Sequence, residues 1–396
     1  MFFLFITEDV LLLISGLGLL QAALLAILIY FHPKSDKTVN KFLALYIFSF
    51  TLIMLGPFII KLISWRKAFF FGTVPLLVGP IMLFYIRSFK ETITWKKAWP
   101  HLWMFVLYCC VLYWWGNSAA AKYPDAKGVP PQLLVGPVPM AIFLVRYAQM
   151  LLYYFLSSRQ LKRYQRSINQ LFSDTSAINL KWGWWLINGY AAIIVSATFL
   201  YFLMRIYPDR FDLIYAIMMA IATPYIYVTS FKGIMQPTIW QMKKDESNDE
   251  LEEEIVESEA LEKMLHEKNR VKAGMADSRV KEIVKKVIFA MENEKLYQET
   301  ELTLHQLSNH LQYPSHQVSQ AINDGMNKTF YDLVNGYRVE EAKRLLLNPN
   351  NRSFTILSVG FEAGFNSKTT FNTVFKKFTG LTPTDFRERQ KQTQLV

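Results

Sequence analysis

Cysteine is nearly absent. The chain has two, Cys109 and Cys110, side by side in an apolar run. Neighbouring residues rarely bridge, so no disulfide framework is expected, and the spacing of a thiolate metal site is missing. Both read as small buried apolar residues. Histidine is scarce as well. Of six histidines, His32 and His101 lie near apolar segments, too far apart for a helical metal pair. No P-loop or nucleophile elbow occurs. These absences argue against an enzyme and call for no cofactor and no metal. The start, Met1-Phe2-Phe3-Leu4, lacks the basic region of a secretory signal, so no cleavage is expected there.

What is abundant is apolar surface, about half of 396 residues. Seven stretches are long enough, or nearly so, to cross ~30 Å of hydrocarbon. They fall near 10–31, 42–62, 68–86, 99–116, 135–156, 182–204 and 211–230. Pro75 and Pro80 interrupt the third, and the fourth begins at Pro100-His101. Connections 1–2, 3–4 and 5–6 carry twelve Lys/Arg against seven in the other three. The richer side is expected to be cytoplasmic, with the N-terminus outside and the C-terminal region in the cytoplasm. This is the arrangement of a multi-pass protein of a bacterial inner membrane. Trp95, Trp99, Trp114, Trp115, Trp182, Trp184 and Trp185 sit near span ends, as interface aromatics do.

Arg146 falls near the middle of the fifth span, where an ionisable group is costly and usually faces the bundle interior. One reading has it meet an anionic ligand group, with Gln149 and Asn188 as further ligand-binding candidates. The other has Arg146 pair with backbone carbonyls, a tyrosine or Gln149, and Asn188 act as polar glue between helices.

Net charge changes sharply along the chain: +13 over 1–242, −6 over 243–278 and +4 over 279–396. The basic excess therefore lies mostly between apolar runs. Three regions follow: a membrane domain at 1–240, an acidic helical or disordered linker at 241–278, and a C-terminal domain at 279–396. In the linker, Lys268 interrupts the stripe of Leu261, Met264, Leu265, Val271 and Met275, so no sustained coiled coil is expected.

The C-terminal domain shows one helical pattern twice. Val280, Ile283, Val284, Val287 and Ile288 form one face of a leading helix. Thr303 to Gln306 is a capping-box pattern, and Leu304, Leu307 and Leu311 give the next helix its buried face. Tyr313-Pro314 breaks it, and Ser315 is expected to cap a second helix with Val318, Ala321 and Ile322 inward. That leaves His316, Gln317, Ser319 and Gln320 outward, groups able to hydrogen-bond base edges. A long helix from Phe330 to Leu347 follows, roughly 27 Å at the usual rise. The pattern then returns. Ser353 is expected to cap one helix, Gly364 to end it and Ser367 to cap the next. Phe371, Val374 and Phe375 face in; Lys368, Thr369, Asn372 and Thr373 face out; Lys376 and Lys377 suit phosphate contact.

The run Gly364-Phe365, Ser367, Phe371, Phe375-Lys376-Lys377, Gly380, Thr382-Pro383, Phe386-Arg387 resembles the signature of the AraC/XylS family of bacterial transcription regulators. Phe330, Tyr337-Arg338-Val339, Ala342 and Leu345-Leu346 resemble that family's linking helix. The resemblance implies two helix–turn–helix subdomains binding DNA as one unit. More loosely, the layout is similar to membrane-anchored regulators of this type. Ser308 and Gly360 stand where the family often has alanine, and Thr373 where it often has a base-reading arginine. The first copy is then the expected base reader, and the second the backbone anchor.

The expected architecture is thus all-α: a bundle of about seven transmembrane helices, then a cytoplasmic domain with two helix–turn–helix subdomains. The expected function is promoter binding under control of the membrane domain. Its partners are double-stranded promoter DNA, RNA polymerase, the lipid bilayer and a small-molecule or envelope signal, with a homodimer left open. A transporter or membrane enzyme with a DNA-binding tail is the alternative, though no inverted repeat supports it.

Overall fold

Apolar runs punctuated by Pro, Gly and basic turns give an all-helical chain. The computed structural model describes residues 8–32, 37–62, 72–123, 136–175, 178, 180–207, 210–235, 277–351 and 353–393, and no strand occurs among them. The expected acidic linker lies outside the described residues up to position 276. The chain divides into two compact units: 1–163 with 180–242, and 164–179 with 243–396.

The helices of the first unit are α1 (Glu8–Tyr30), α2 (Lys37–Met54), α3 (Gly56–Leu62), α4 (Pro75–Ser88), α5 (Trp95–Lys122), α6 (Pro137–Leu171), α7 (Gly183–Ile206) and α8 (Phe211–Ile234). The last turns of α6, from Tyr164, belong to the second unit. Where seven membrane spans are expected, four of the described helices are long and apolar enough to cross a membrane. They are Lys37–Met54, Pro137–Leu171, Gly183–Ile206 and Leu213–Ile234. The stretch Gly16–Tyr30 of the 23-residue α1 and the 14-residue α4 are apolar as well. Helix α5 is long, but Lys96, Lys97, His101 and its tryptophans dilute its apolar character.

Polar side chains fasten these apolar helices together. Tyr46 and Tyr225 are hydrogen-bonded through their hydroxyls at 2.6 Å, and Tyr225 donates to the Leu186 carbonyl at 2.8 Å. That chain ties α2, α8 and α7, all three residues being buried. Gly189 lies so close to the Tyr225 ring that a Cβ there would overlap it. Gln149 donates to the Leu76 carbonyl at 3.0 Å and joins α6 to α4. Buried amides are normally satisfied in this way. Cys109 is half-buried and Cys110 exposed, so the expectation of two buried thiols fails for Cys110.

The second unit has α9 (Asp277–Glu292), α10 (Leu304–Leu311), α11 (Ser315–Gln320), α12 (Phe330–Leu347), α13 (Ile356–Glu362), α14 (Lys368–Thr379) and α15 (Pro383–Thr393). Helix α12 serves two cores. Phe330, Leu333 and Val334 pack with Ile283, Val287, Leu307, Val318 and Ile322. Val339, Ala342, Leu345 and Leu346 pack with Val359, Phe365, Phe371 and Phe375. In the second core, ring centroids of Phe365–Phe371, Phe371–Phe375 and Phe375–Phe386 are 5.0, 5.6 and 5.4 Å apart. Each such burial contributes roughly 1.5–3 kcal/mol.

Candidate nucleic-acid interface

The two cores are built on one turn used twice. In the first, Thr303 caps α10 with a complete capping box: Gln306 N–H donates to its hydroxyl at 3.2 Å, and Thr303 N–H donates to the Gln306 side chain at 2.9 Å. Helix α10 ends at Gln312, at φ +58°, and Tyr313 N–H reaches back to the Ser308 carbonyl at 3.1 Å. In the second, Thr355 caps α13 by accepting from Ser358 N–H. That helix ends at Gly364, at φ +93°, and Phe365 N–H reaches back to the Gly360 carbonyl at 3.0 Å. Each back-bond satisfies a carbonyl left over at the helix end. The cap of α13 is Thr355 and not Ser353, because the helix starts two residues later than the sequence suggested.

Helices α11 and α14 follow these turns. Ser367 caps α14, accepting from Thr370 N–H at 3.1 Å. Ser315 does not cap α11. Pro314 holds that position and Ser315 is the first helical residue. Helix α11 continues into a wider π turn, Ala321–Gly325. Lys368, Thr369, Thr373, Lys376 and Lys377 are exposed, and Asn372 is half-buried. His316, Gln317 and Gln320 are half-exposed in the first copy. Ser319 is buried at 9% exposure, against the expectation that it faces out, and its hydroxyl accepts from Asn323 at 3.4 Å. The alignment of the turns explains this. Ser319 stands four residues after Ser315, as Phe371 stands four after Ser367, and Phe371 is a core residue.

Lys377 is already engaged. Its Nζ lies 2.9 Å from Asp332 Oδ1 and 4.8 Å from the centre of the Tyr331 ring. Asp332 is in the first turn of α12, where Thr329 caps by accepting its N–H. Sequence spacing gave no sign of this pair, whose members are 45 residues apart.

The two turns are braced by Arg338, only 1% exposed. Its Nε donates to the Tyr297 carbonyl at 2.7 Å, and Nη2 to the carbonyls of Glu299 at 2.6 Å and Thr300 at 3.2 Å. Burial lowers its pKa to about 10, opposed in part by Asp174. The pinned segment lies against the second turn, where a Cβ on Gly364 would be 2.5 Å from the Tyr297 carbonyl oxygen. The Tyr297 and Tyr337 rings stack alongside, 5.9 Å apart.

The ligand candidates separate. Gln149 spends its amide on the Leu76 carbonyl, and Asn188 is exposed on α7. Arg146 is half-buried, with its guanidinium 5.1 Å from the centre of the Tyr147 ring and its buried Nε without a hydrogen-bond partner.

Residues 307–389 match the family described as a helix-turn-helix domain. This range runs from α10 into α15 and takes in both turns, so the C-terminal region is a helix–turn–helix domain of the kind that binds DNA. A stretch of 61 residues is 38% identical to an uncharacterized HTH-type transcriptional regulator in the cgkA 5' region of Pseudoalteromonas carrageenovora. It covers 15% of this chain and 34% of that protein, so the chain spans about a third of the relative's length. No solved structure matches.

Proposed function

We propose that the chain is a membrane-embedded transcription regulator. Its C-terminal domain binds promoter DNA in the cytoplasm, and its N-terminal domain, crossing the bacterial inner membrane seven times, sets that binding. The observation that carries the reading is the repeated turn: two capped helix pairs, alike in their back-bonds, on the two halves of one 18-residue helix. That helix is roughly 27 Å long, so α11 and α14 at its ends suit successive major grooves, roughly 34 Å from each other. His316, Gln317 and Gln320 read bases in the first groove. Lys368, Thr369, Asn372 and Thr373 face the second, and Lys376 holds phosphate. RNA polymerase and a second copy of the chain are the further partners of this reading.

Arg146 then senses. A guanidinium over an aromatic ring, with a buried N–H unpaired, suits a carboxylate or phosphate group entering among α6 side chains. The test of the whole reading is the full chain in lipid nanodiscs, offered genomic duplex DNA at rising salt. Retarded complexes that weaken as salt rises support it. No retarded DNA at any salt, or a C-terminal tag found outside the cell, refutes it.

A further inference from the structure

The last turns of α6 and the residues after them are part of the DNA-binding unit. Tyr164, Ile168 and Leu171 form a buried stripe at helical spacing. Leu171 lies in the first core with Leu304 and Leu307, and Phe172 packs against it. Phe172 pairs as a single antiparallel bridge with Thr303, the cap of α10. Ser173 is fully buried. Its N–H and hydroxyl both donate to the Leu302 carbonyl, at 3.3 and 2.7 Å. Its own carbonyl accepts from Asn335 Nδ2 at 2.7 Å, and its hydroxyl from Arg338 Nη2 at 3.3 Å.

Asn335 and Arg338 are on α12 and are 0% and 1% exposed. Buried polar groups of this kind need partners, and part of their complement comes from a residue 160 or more positions away. Helix α6 has 35 residues, about 52 Å at 1.5 Å each, against ~30 Å of hydrocarbon. One continuous helix therefore carries Arg146 near its start and delivers Leu171 to the core beside the linking helix.

We propose that this clasp, Ser173 on Asn335 and Arg338, is the site through which the membrane domain acts on DNA binding. The inference rests on the regulator reading above and adds its route. A turn or shift of α6 moves Ser173. That moves α12, which sets the spacing of α11 and α14. This route does not run through residues 243–276.

The test uses the full chain in nanodiscs, with DNA fragments recovered by chromatin mapping. Four proteins are compared: wild type, Ser173→Ala, a Gly-Ser-Gly-Ser insertion between Gln165 and Arg166, and the same insertion between Glu250 and Leu251. The α6 insertion and Ser173→Ala are expected to change DNA affinity about tenfold, a usual size for coupling between sites. The linker insertion is expected to leave it within about twofold of wild type, below that coupling range. Equal effects of the two insertions, or wild-type affinity in Ser173→Ala, overturn the proposal. Amide exchange gives a second readout that does not need DNA. Protection of the Asn335 side-chain amide, which donates to the Ser173 carbonyl, supports the clasp, and exchange at open-chain rate refutes it. If wild type binds no DNA, the regulator reading has failed, and the Asn335 side-chain amide still decides whether the clasp exists.

Discussion

Lys377 Nζ lies 2.9 Å from Asp332 Oδ1, joining α14 to the first turn of the linking helix α12. Lys376, its neighbour, is exposed and has no such partner among the described residues. One lysine braces the two halves of the domain; the other, in the proposed reading, offers its charge to a phosphate.

The two lysines should therefore separate in a salt titration. Lys376→Ala should weaken binding to all sequences alike and lower the salt slope by about one. Lys377→Ala should change the slope less, because Asp332 already neutralises it. The exposed pair contributes only about 0–1 kcal/mol to stability. Equal slopes for the two variants would sink this distinction.

Base reading should reside in α11. Gln320→Ala should relax preference at one base position, costing about 1–3 kcal/mol of discrimination. Ser319→Ala should leave specificity unchanged, since Ser319 is buried. Selection of bound sequences from a random library checks both.

Glycine substitutions should rank by space as well as by backbone angle. Gly364→Ala meets φ +93° and a carbonyl oxygen 2.5 Å away, so it should cost clearly more than ~1 kcal/mol. Gly380→Ala meets φ +77° with nothing within 4 Å, and should cost about 1 kcal/mol. Protease resistance of the C-terminal unit in urea ranks them.

Arg338→Met should be among the most damaging changes, on the order of 3–5 kcal/mol, because three carbonyls lose their donor. Arg338→Lys should recover only part, since an ammonium has no planar fork to reach them together. The same protease assay reports the difference.

Arg146→Met should abolish the response to the natural signal while leaving membrane insertion and DNA binding intact. A reporter driven by a mapped promoter measures it. An unchanged response would make Arg146 a structural residue, content with Tyr147.

The sequence by itself determined much of the local structure. Thr303 and Gln306 declare a capping box, and Gly364 and Gly380 are helix stops where positive φ is cheap only for glycine. The linking helix was legible from its first residue, Phe330, to its last, Leu347. These signals act over one helical turn, so neighbouring residues suffice to set them. Apolar length alone was a weaker guide. It suggested seven spans where four described helices meet both length and apolarity; in α5 tryptophans and basic residues dilute a long run, and α4 has only 14 residues.

Only the tertiary structure decided the rest. Ser319 became buried because the core needs a residue where the other copy has Phe371. Lys377 found Asp332, and Ser173 found Asn335 and Arg338, across gaps no periodicity spans. Pairings of that kind are chosen when distant segments close one core and a buried polar group must take whichever partner then lies within reach.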